Sequence, residues 1–166
     1  MTAMMRSNDA YLGLPHDVFC FTMMQELVAA ELGLEVGEYT HMVGSMHLYD
    51  DDRDKAAQYI SEGYQRAAEM PPMPHSEPLA MIEKLLAFER KARVQEGADP
   101  DAELGDDYWA DLARLLQINF AKDDQEIKEI SSRMRNNFYH TFIEDKRDRK
   151  SEAARRAAAR TKLEQA

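Results

Sequence analysis

The sequence has a single cysteine, Cys20, among 166 residues. One thiol excludes an internal disulfide framework and suits a reducing compartment. Glycine and proline are scarce as well, seven and six residues, which excludes collagen-like and low-complexity composition. No apolar run approaches the roughly 20 residues that span a bilayer. Met1-Thr2-Ala3-Met4-Met5-Arg6 lacks the basic start and apolar stretch of a signal peptide. The expected setting is cytoplasmic, with no membrane partner. Basic residues are also in short supply: 21 Lys and Arg face 31 Asp and Glu, for a net charge of −10. That balance argues against a general nucleic-acid binder, whose affinity rests on phosphate neutralisation. The exception runs from Lys146 to Ala166, with eight basic residues against three acidic ones. Residues 149–166 read as a basic helical or frayed tail, with contact to an acidic partner or nucleic acid as the alternative.

Hydrophobic residues make up 44% of the chain and recur in periodic blocks to about residue 145, enough for a folded core. Met1–Met5 reads as the end of a strand and residues 6–15 as a loop. Val18 to Leu32 is apolar almost all round, predicting a buried helix closed by Gly33. Residues 38–49 favour a strand broken near Gly44. Asp50-Asp51-Asp52 is placed to start a helix running to about Met70, with Ala56, Ile60 and Tyr64 on one face. Pro71-Pro72-Met73-Pro74 stops it. Ser76 is a candidate N-cap for a helix whose stripe is Leu79, Ile82, Leu85, Leu86 and Phe88. Residues 96–106 read as a polar loop, followed by helices at 107–120 and 122–148. Trp109 falls on the apolar face of the first, as core or a dimer contact. The methionines at 23, 24, 42, 46, 70, 73 and 81 read as core filler.

The polar residues of chemical interest cluster in the first 50 positions. Arg6 and Ser7 pair a guanidinium with a hydroxyl, a natural grip for phosphate. His47 and Tyr49 share a strand face at i, i+2 and suit a sugar hydroxyl; a packed or solvent-facing His47 is the alternative. No metal site is expected. Asp50, Asp51, Asp52 and Asp54 lack the EF-hand alternation, and His16, His41, His75 and His140 show no zinc-ligand pairing. No glycine-rich nucleotide-binding pattern is present.

Arg6-Ser7-Asn8-Asp9-Ala10-Tyr11-Leu12-Gly13-Leu14-Pro15 resembles the RSxDxxLGLP signature of the thymidylate synthase family. Leu34-Glu35-Val36-Gly37-Glu38-Tyr39, then Gly44-Ser45-Met46-His47-Leu48-Tyr49, is similar to that family's LEVGEF…GDTHLY stretch, in the same order and at the same separation. The resemblance covers about residues 1–74. It implies phosphate-binding roles for Arg6 and Ser7 and a folate-side carboxylate in Asp9. It puts Leu12 and Gly13 in the wall between folate and nucleotide, and assigns His47 and Tyr49 to the deoxyribose 3′-hydroxyl. It also implies a homodimer, 5,10-methylene-tetrahydrofolate as cofactor and a pyrimidine deoxynucleotide monophosphate as substrate. Enzymes of this family add a cysteine thiolate to pyrimidine C6, so that C5 can take a one-carbon unit. Hydride transfer then gives a methyl group; water gives a hydroxymethyl group.

Two departures from the family pattern matter. Where thymidylate synthases read LGLPFN, this chain reads Leu12-Gly13-Leu14-Pro15-His16-Asp17. The family Asn complements uracil's N3–H donor and O4 acceptor, and cytosine presents the reverse, an N3 acceptor and an N4 amino donor. A carboxylate at position 17 accepts from the amino group, and a protonated carboxyl or a proton shared with N3 supplies the second bond. Asp17 therefore points to dCMP, as in the family's deoxycytidylate hydroxymethylases; serving as N-cap of the following helix is its other reading. The second departure concerns the nucleophile. The family's Pro-Cys-His segment precedes the RSxD loop, so no catalytic residue is assigned here and the nucleophile is expected upstream of Met1. Cys20, inside the apolar helix, is expected to pack as a small hydrophobe.

The expected architecture is α+β, a partial fold with few strands and a helix-rich C-terminal half. It divides into a nucleotide-binding portion at 1–74, a helical region at 75–148 and the tail. A lone strand pair is marginal in water, so exposed strand edges and apolar surface are expected. Three functions remain: dCMP hydroxymethylation, dUMP methylation, and a non-catalytic module that binds nucleotide or dimerises. By itself the chain is expected to be inactive, as the C-terminal portion of a larger or split enzyme.

Overall fold

The computed structural model of the chain describes residues 1–64 and 69–164. The chain divides into two compact units, Met1–Ala68 with Met73–Pro78, and Glu69–Pro72 with Leu79–Ala166.

The first unit is built on parallel strands. Strand β1 (Thr2–Met5) pairs with β3 (Thr40–Val43), and β2 (Asn8–Asp9) pairs with β4 (Met46–His47). Parallel partners need a crossover, and helix α1 (Gly13–Leu32) supplies it. The register is the same in both pairs, Thr2 opposite Thr40 and Asn8 opposite Met46. They therefore form one ladder interrupted at Arg6-Ser7 and Gly44-Ser45, the break expected near Gly44. Gly33 closes α1 in the left-handed conformation, φ 66°, where a β-carbon would be strained. The Gln25 side-chain amide donates to the carbonyls of Gly37 and Glu38 at 2.7 and 3.3 Å, tying α1 to the approach to β3. Glu26 accepts from the Met73 backbone N–H at 2.7 Å, which ties Met73 to the same helix.

Several expectations need correction here. Helix α1 starts at Gly13, not Val18, because the Asp9 carboxylate gathers the N–H groups of Tyr11, Leu12 and Gly13 and nucleates the turn earlier. It is not buried: Phe19, Met24, Val28 and Leu32 are each more than half exposed. Two short strand pairs can cover only one side of a helix that is apolar all round. Cys20 is exposed rather than packed. Met24, Met42 and Met46 are exposed, whereas Met73 and Met81 are buried. The acidic run forms a 3₁₀ turn, Asp50–Asp52, leading into α2 (Arg53–Ser61). That helix stops well short of Met70: Gly63 takes φ 75°, and Ile60 and Tyr64 face solvent with no packing to prolong it. The expected stretch at 65–68 lies outside the described residues.

The second unit is helical. Helix α3 (Pro78–Arg93) begins at the proline, two residues after Ser76, because fixed φ and a missing N–H suit the first helical turn. Its buried side is Met81, Phe88 and Ala92, while Leu79 and Leu86 are exposed. The expected loop at 96–106 contains a short helix, α4 (Pro100–Leu104), capped by the Asp99 side chain and closed by Gly105 at φ 67°. Helix α5 (Asp107–Phe120) matches its expected span, with Asp106 as N-cap. The expected single helix at 122–148 is two, α6 (Asp124–Ser131) and α7 (His140–Glu164), separated by a 3₁₀ turn at Asn137–Tyr139. Trp109 is buried in this unit. Ile118, Ala121, Ile127, Tyr139 and Ile143 form a core that Leu112, Leu115 and Met134 flank. The fold is α+β, with short parallel strands and a helix-rich C-terminal half.

Candidate nucleotide site

The interruption of the parallel ladder is the structural feature that gathers the motif residues. The Gly44 N–H donates to the Met5 carbonyl and the Asn8 N–H to the Ser45 carbonyl, both at 3.0 Å. Between these bonds both strands bend, at Arg6 and at Gly44. A β-carbon at Gly44 would sit 2.9 Å from the Arg6 carbonyl oxygen, so only glycine allows the approach. Arg6 is exposed and Ser7 half-buried. Among the described residues the Arg6 guanidinium has no hydrogen-bond or ion-pair partner, which leaves its donor fork open.

Past the break the ladder places Asp9 directly opposite His47, and the Ala10 N–H donates to the His47 carbonyl at 2.8 Å. The His47 and Tyr49 rings meet edge to face, 5.0 Å between centroids. Asp9 is held below the usual carboxylate range, first by the Gly13 N–H and then by the Leu12 N–H; partial burial opposes the shift, and the Tyr11 N–H and His47 add to it. Its Oδ2 accepts from Leu12 and Gly13 at 2.6 and 3.0 Å, while Oδ1 carries one longer bond from Tyr11 at 3.3 Å. An ionised carboxylate offers about four acceptor positions, so Oδ1 retains capacity for a donor from outside the chain. Leu12 is exposed beside it, and Gly13 abuts Asn8 so closely that a β-carbon would overlap the Asn8 amide oxygen. An ionised acceptor, an exposed leucine and a bare glycine backbone fit the edge of a flat, donor-bearing pterin.

Asp17 lies in the second turn of α1 and is half-buried. It does not cap the helix, a task that Asp9 performs. Its charge reaches Tyr39, whose hydroxyl pKa is pushed up by burial first and by Asp17 second.

Sequence reasoning missed three residues here. The Tyr39 hydroxyl lies 2.6 Å from His41 Nδ1, and His41 Nε2 lies 3.2 Å from the Asn8 side-chain nitrogen. Asn8 is only 5% exposed, and the Phe21 ring packs near His41 at 6.4 Å. The signal was the i, i+2 spacing of Tyr39 and His41, the same spacing that marked His47 and Tyr49. Among the described residues no group of three or more His, Cys, Asp or Glu is arranged to hold a metal ion. No helix among them is long and apolar enough to cross a membrane.

These strands and this broken ladder are the part of the chain that comparison with known proteins singles out. The thymidylate synthase family model matches residues 1–85, just over half of the chain, and the chain belongs to that family. The thymidylate synthase of Oenococcus oeni is 37% identical over 57 residues, covering 34% of this chain and 18% of the relative. That of Listeria monocytogenes serotype 4a is 38% identical over 56 residues, with the same coverage of 34% and 18%. The matched stretch thus spans less than a fifth of the length of these curated relatives.

Proposed function

We propose that residues 1–74 form the nucleotide-binding portion of a pyrimidine-nucleotide C5 one-carbon transferase that hydroxymethylates dCMP with 5,10-methylene-tetrahydrofolate. The observation that carries this reading is the broken ladder, which sets Asp9 opposite His47 and leaves Arg6-Ser7 at the break just before that strand pair. In this reading Arg6 and Ser7 hold the phosphate, the guanidinium supplying charge and a two-pronged donor. His47 and Tyr49 take the deoxyribose 3′-hydroxyl, and Asp17 reads the base. Asp9, Leu12 and Gly13 form the folate side, where bound methylene-tetrahydrofolate supplies the one-carbon unit. The reaction also needs a thiolate at pyrimidine C6, a role for which Cys20, exposed on α1, is not the candidate. The working enzyme is a homodimer.

Methylation of dUMP is the second reading, favoured by the name thymidylate synthase that both relatives carry. Titration of the chain with dCMP, dUMP and deoxycytidine separates them. Tighter binding of dCMP than dUMP supports hydroxymethylation, and an unambiguous preference for dUMP replaces it with methylation. Deoxycytidine should bind at least tenfold more weakly than dCMP if Arg6 and Ser7 carry the phosphate contact. A third reading, a module that binds nucleotide or dimerises without chemistry, predicts binding without release of tritium from [5-³H]dCMP in the presence of the folate, whatever cysteine-bearing segment is added.

A further inference from the structure

We propose that Tyr39 is a second base-reading residue: its hydroxyl, locked as a donor by the His41–Asn8 chain behind it, pairs with Asp17 as acceptor to select cytosine. This rests on the assignment of Asp17 to the base and goes beyond it, since Asp17 alone leaves one of cytosine's two bonds to a protonated carboxyl or a shared proton.

The direction of the chain follows from what each group can do. The Asn8 side-chain nitrogen can only donate, so His41 Nε2, 3.2 Å away, must accept. The imidazole proton of the neutral ring then sits on Nδ1, and Nδ1–H donates to the Tyr39 oxygen at 2.6 Å. With one lone pair so engaged, the phenol directs its own O–H away from His41. Asn8 is held in place: it is buried, and its amide oxygen fits against Gly13, where no β-carbon has room. The His41 ring is set by Phe21 on α1. Asp17 lies four residues before Phe21, on the same helix face, so the donor comes from the residue just before β3 and the carboxylate from α1. Burial first, and the Asp17 charge second, hold the phenol in its protonated, donating form. An oriented O–H with a carboxylate whose charge reaches it matches an N3 acceptor next to an N4 amino donor. Uracil, with N3–H and O4, sets donor against donor and acceptor against acceptor.

Two measurements test this. In the free protein, long-range ¹H–¹⁵N correlations of the His41 ring should show the Nδ1–H tautomer with Nε2 unprotonated; an Nε2–H ring overturns the proposed direction. In nucleotide titrations, Tyr39→Phe should weaken dCMP about tenfold, the usual scale for a lost bond that leaves a polar group unmatched, and leave dUMP within twofold. His41→Phe keeps a ring against Phe21 and should give the same narrowing of the dCMP-to-dUMP ratio. The double variant should narrow it no further. Binding of deoxyribose 5-phosphate should be unchanged in all three, showing that the fold survives. If Tyr39→Phe keeps the wild-type ratio while Asp17→Asn collapses it, Asp17 reads the base and Tyr39 does not. If neither variant alters the ratio, the base assignment and this inference fall together.

Discussion

The Asp9 carboxylate is asked to do structural work before any chemical work, because it collects three backbone N–H groups where β2 gives way to α1. Hydrogen bonds to the charged form hold its pKa below the ordinary aspartate value of about 3.9. A carboxyl with a depressed folded-state pKa stabilises the fold above its unfolded value, and that contribution is lost as pH falls through the folded value. We therefore expect the Asp9 carboxyl ¹³C resonance to titrate with a midpoint below 3.9; a midpoint at or above it would remove the capping role. Asp9→Asn keeps an acceptor oxygen but no titration, so the acid limb of the unfolding curve below about pH 4 should become shallower. The same bonds explain why Asp17 looked like an N-cap in the sequence. An acidic residue ahead of Val18 is a good capping signal, but an earlier acid had already claimed the helix start.

Between strands, the element that matters is the interruption of the ladder. The Gly44→Ala β-carbon would meet backbone, not the yielding end of a side chain. The strands must separate, and we expect a loss of about 1–3 kcal/mol with faster amide exchange at Gly44 and Asn8. Gly37→Ala, where a β-carbon meets nothing within 4 Å, is the control and should be near neutral. Between helices, the corresponding element is the turn that splits α6 from α7. Asp111 on α5 accepts from the Arg135 and Asn136 N–H groups at 3.0 and 2.8 Å and from the Arg114 guanidinium at 2.7 Å. Both Asp111 and Arg114 are 1% exposed, and Asp101 is the guanidinium's second partner. Asp111→Ala leaves a buried cation short of a counter-charge and two backbone donors unmatched. Chemical denaturation should show a loss of about 3–5 kcal/mol; a loss under 1 kcal/mol would mean that the turn is held by something else. This pair also marks how far the sequence could be read. The interrupted strand at 38–49, the Gly33 cap and the span of α5 were legible because each is written in local signals: alternation, a glycine, an acidic cap before an apolar stripe. The split after Ser131 was not, because the groups that compensate it sit about 24 residues earlier on another helix. The site divides the same way. Arg6, Ser7, His47 and Tyr49 stood out as motif residues, whereas His41 looked isolated until Asn8, 33 positions away, came beside it.

At the scale of the molecule the first unit carries more apolar surface than it can cover. Phe19, Met24, Val28 and Leu32 on α1 and Met4, Met42 and Met46 on the strands are all about half exposed or more. Among the described residues the interrupted ladder is only two strands wide, which leaves its outer edges without a strand partner there. Exposed apolar side chains lie on several sides of this unit, and burying them at roughly 25 cal/mol per Å² would give association a drive that a polar surface lacks. A net charge of −10 works against it through repulsion between copies. The two effects separate with salt, which screens the repulsion over a Debye length of about 8 Å at physiological ionic strength and leaves the apolar term in place. Sedimentation of the chain should therefore show self-association that strengthens from low to moderate salt, together with binding of a hydrophobic dye. Phe19→Glu with Val28→Glu should shift the population toward monomer and cut dye binding without loss of helical signal. Ile60→Glu, on a residue still more exposed but on α2, should leave association as it was. A chain that sediments as a monomer at every salt concentration would assign this surface some other role. Association lost equally in both variants would move the interface away from α1 and the strands.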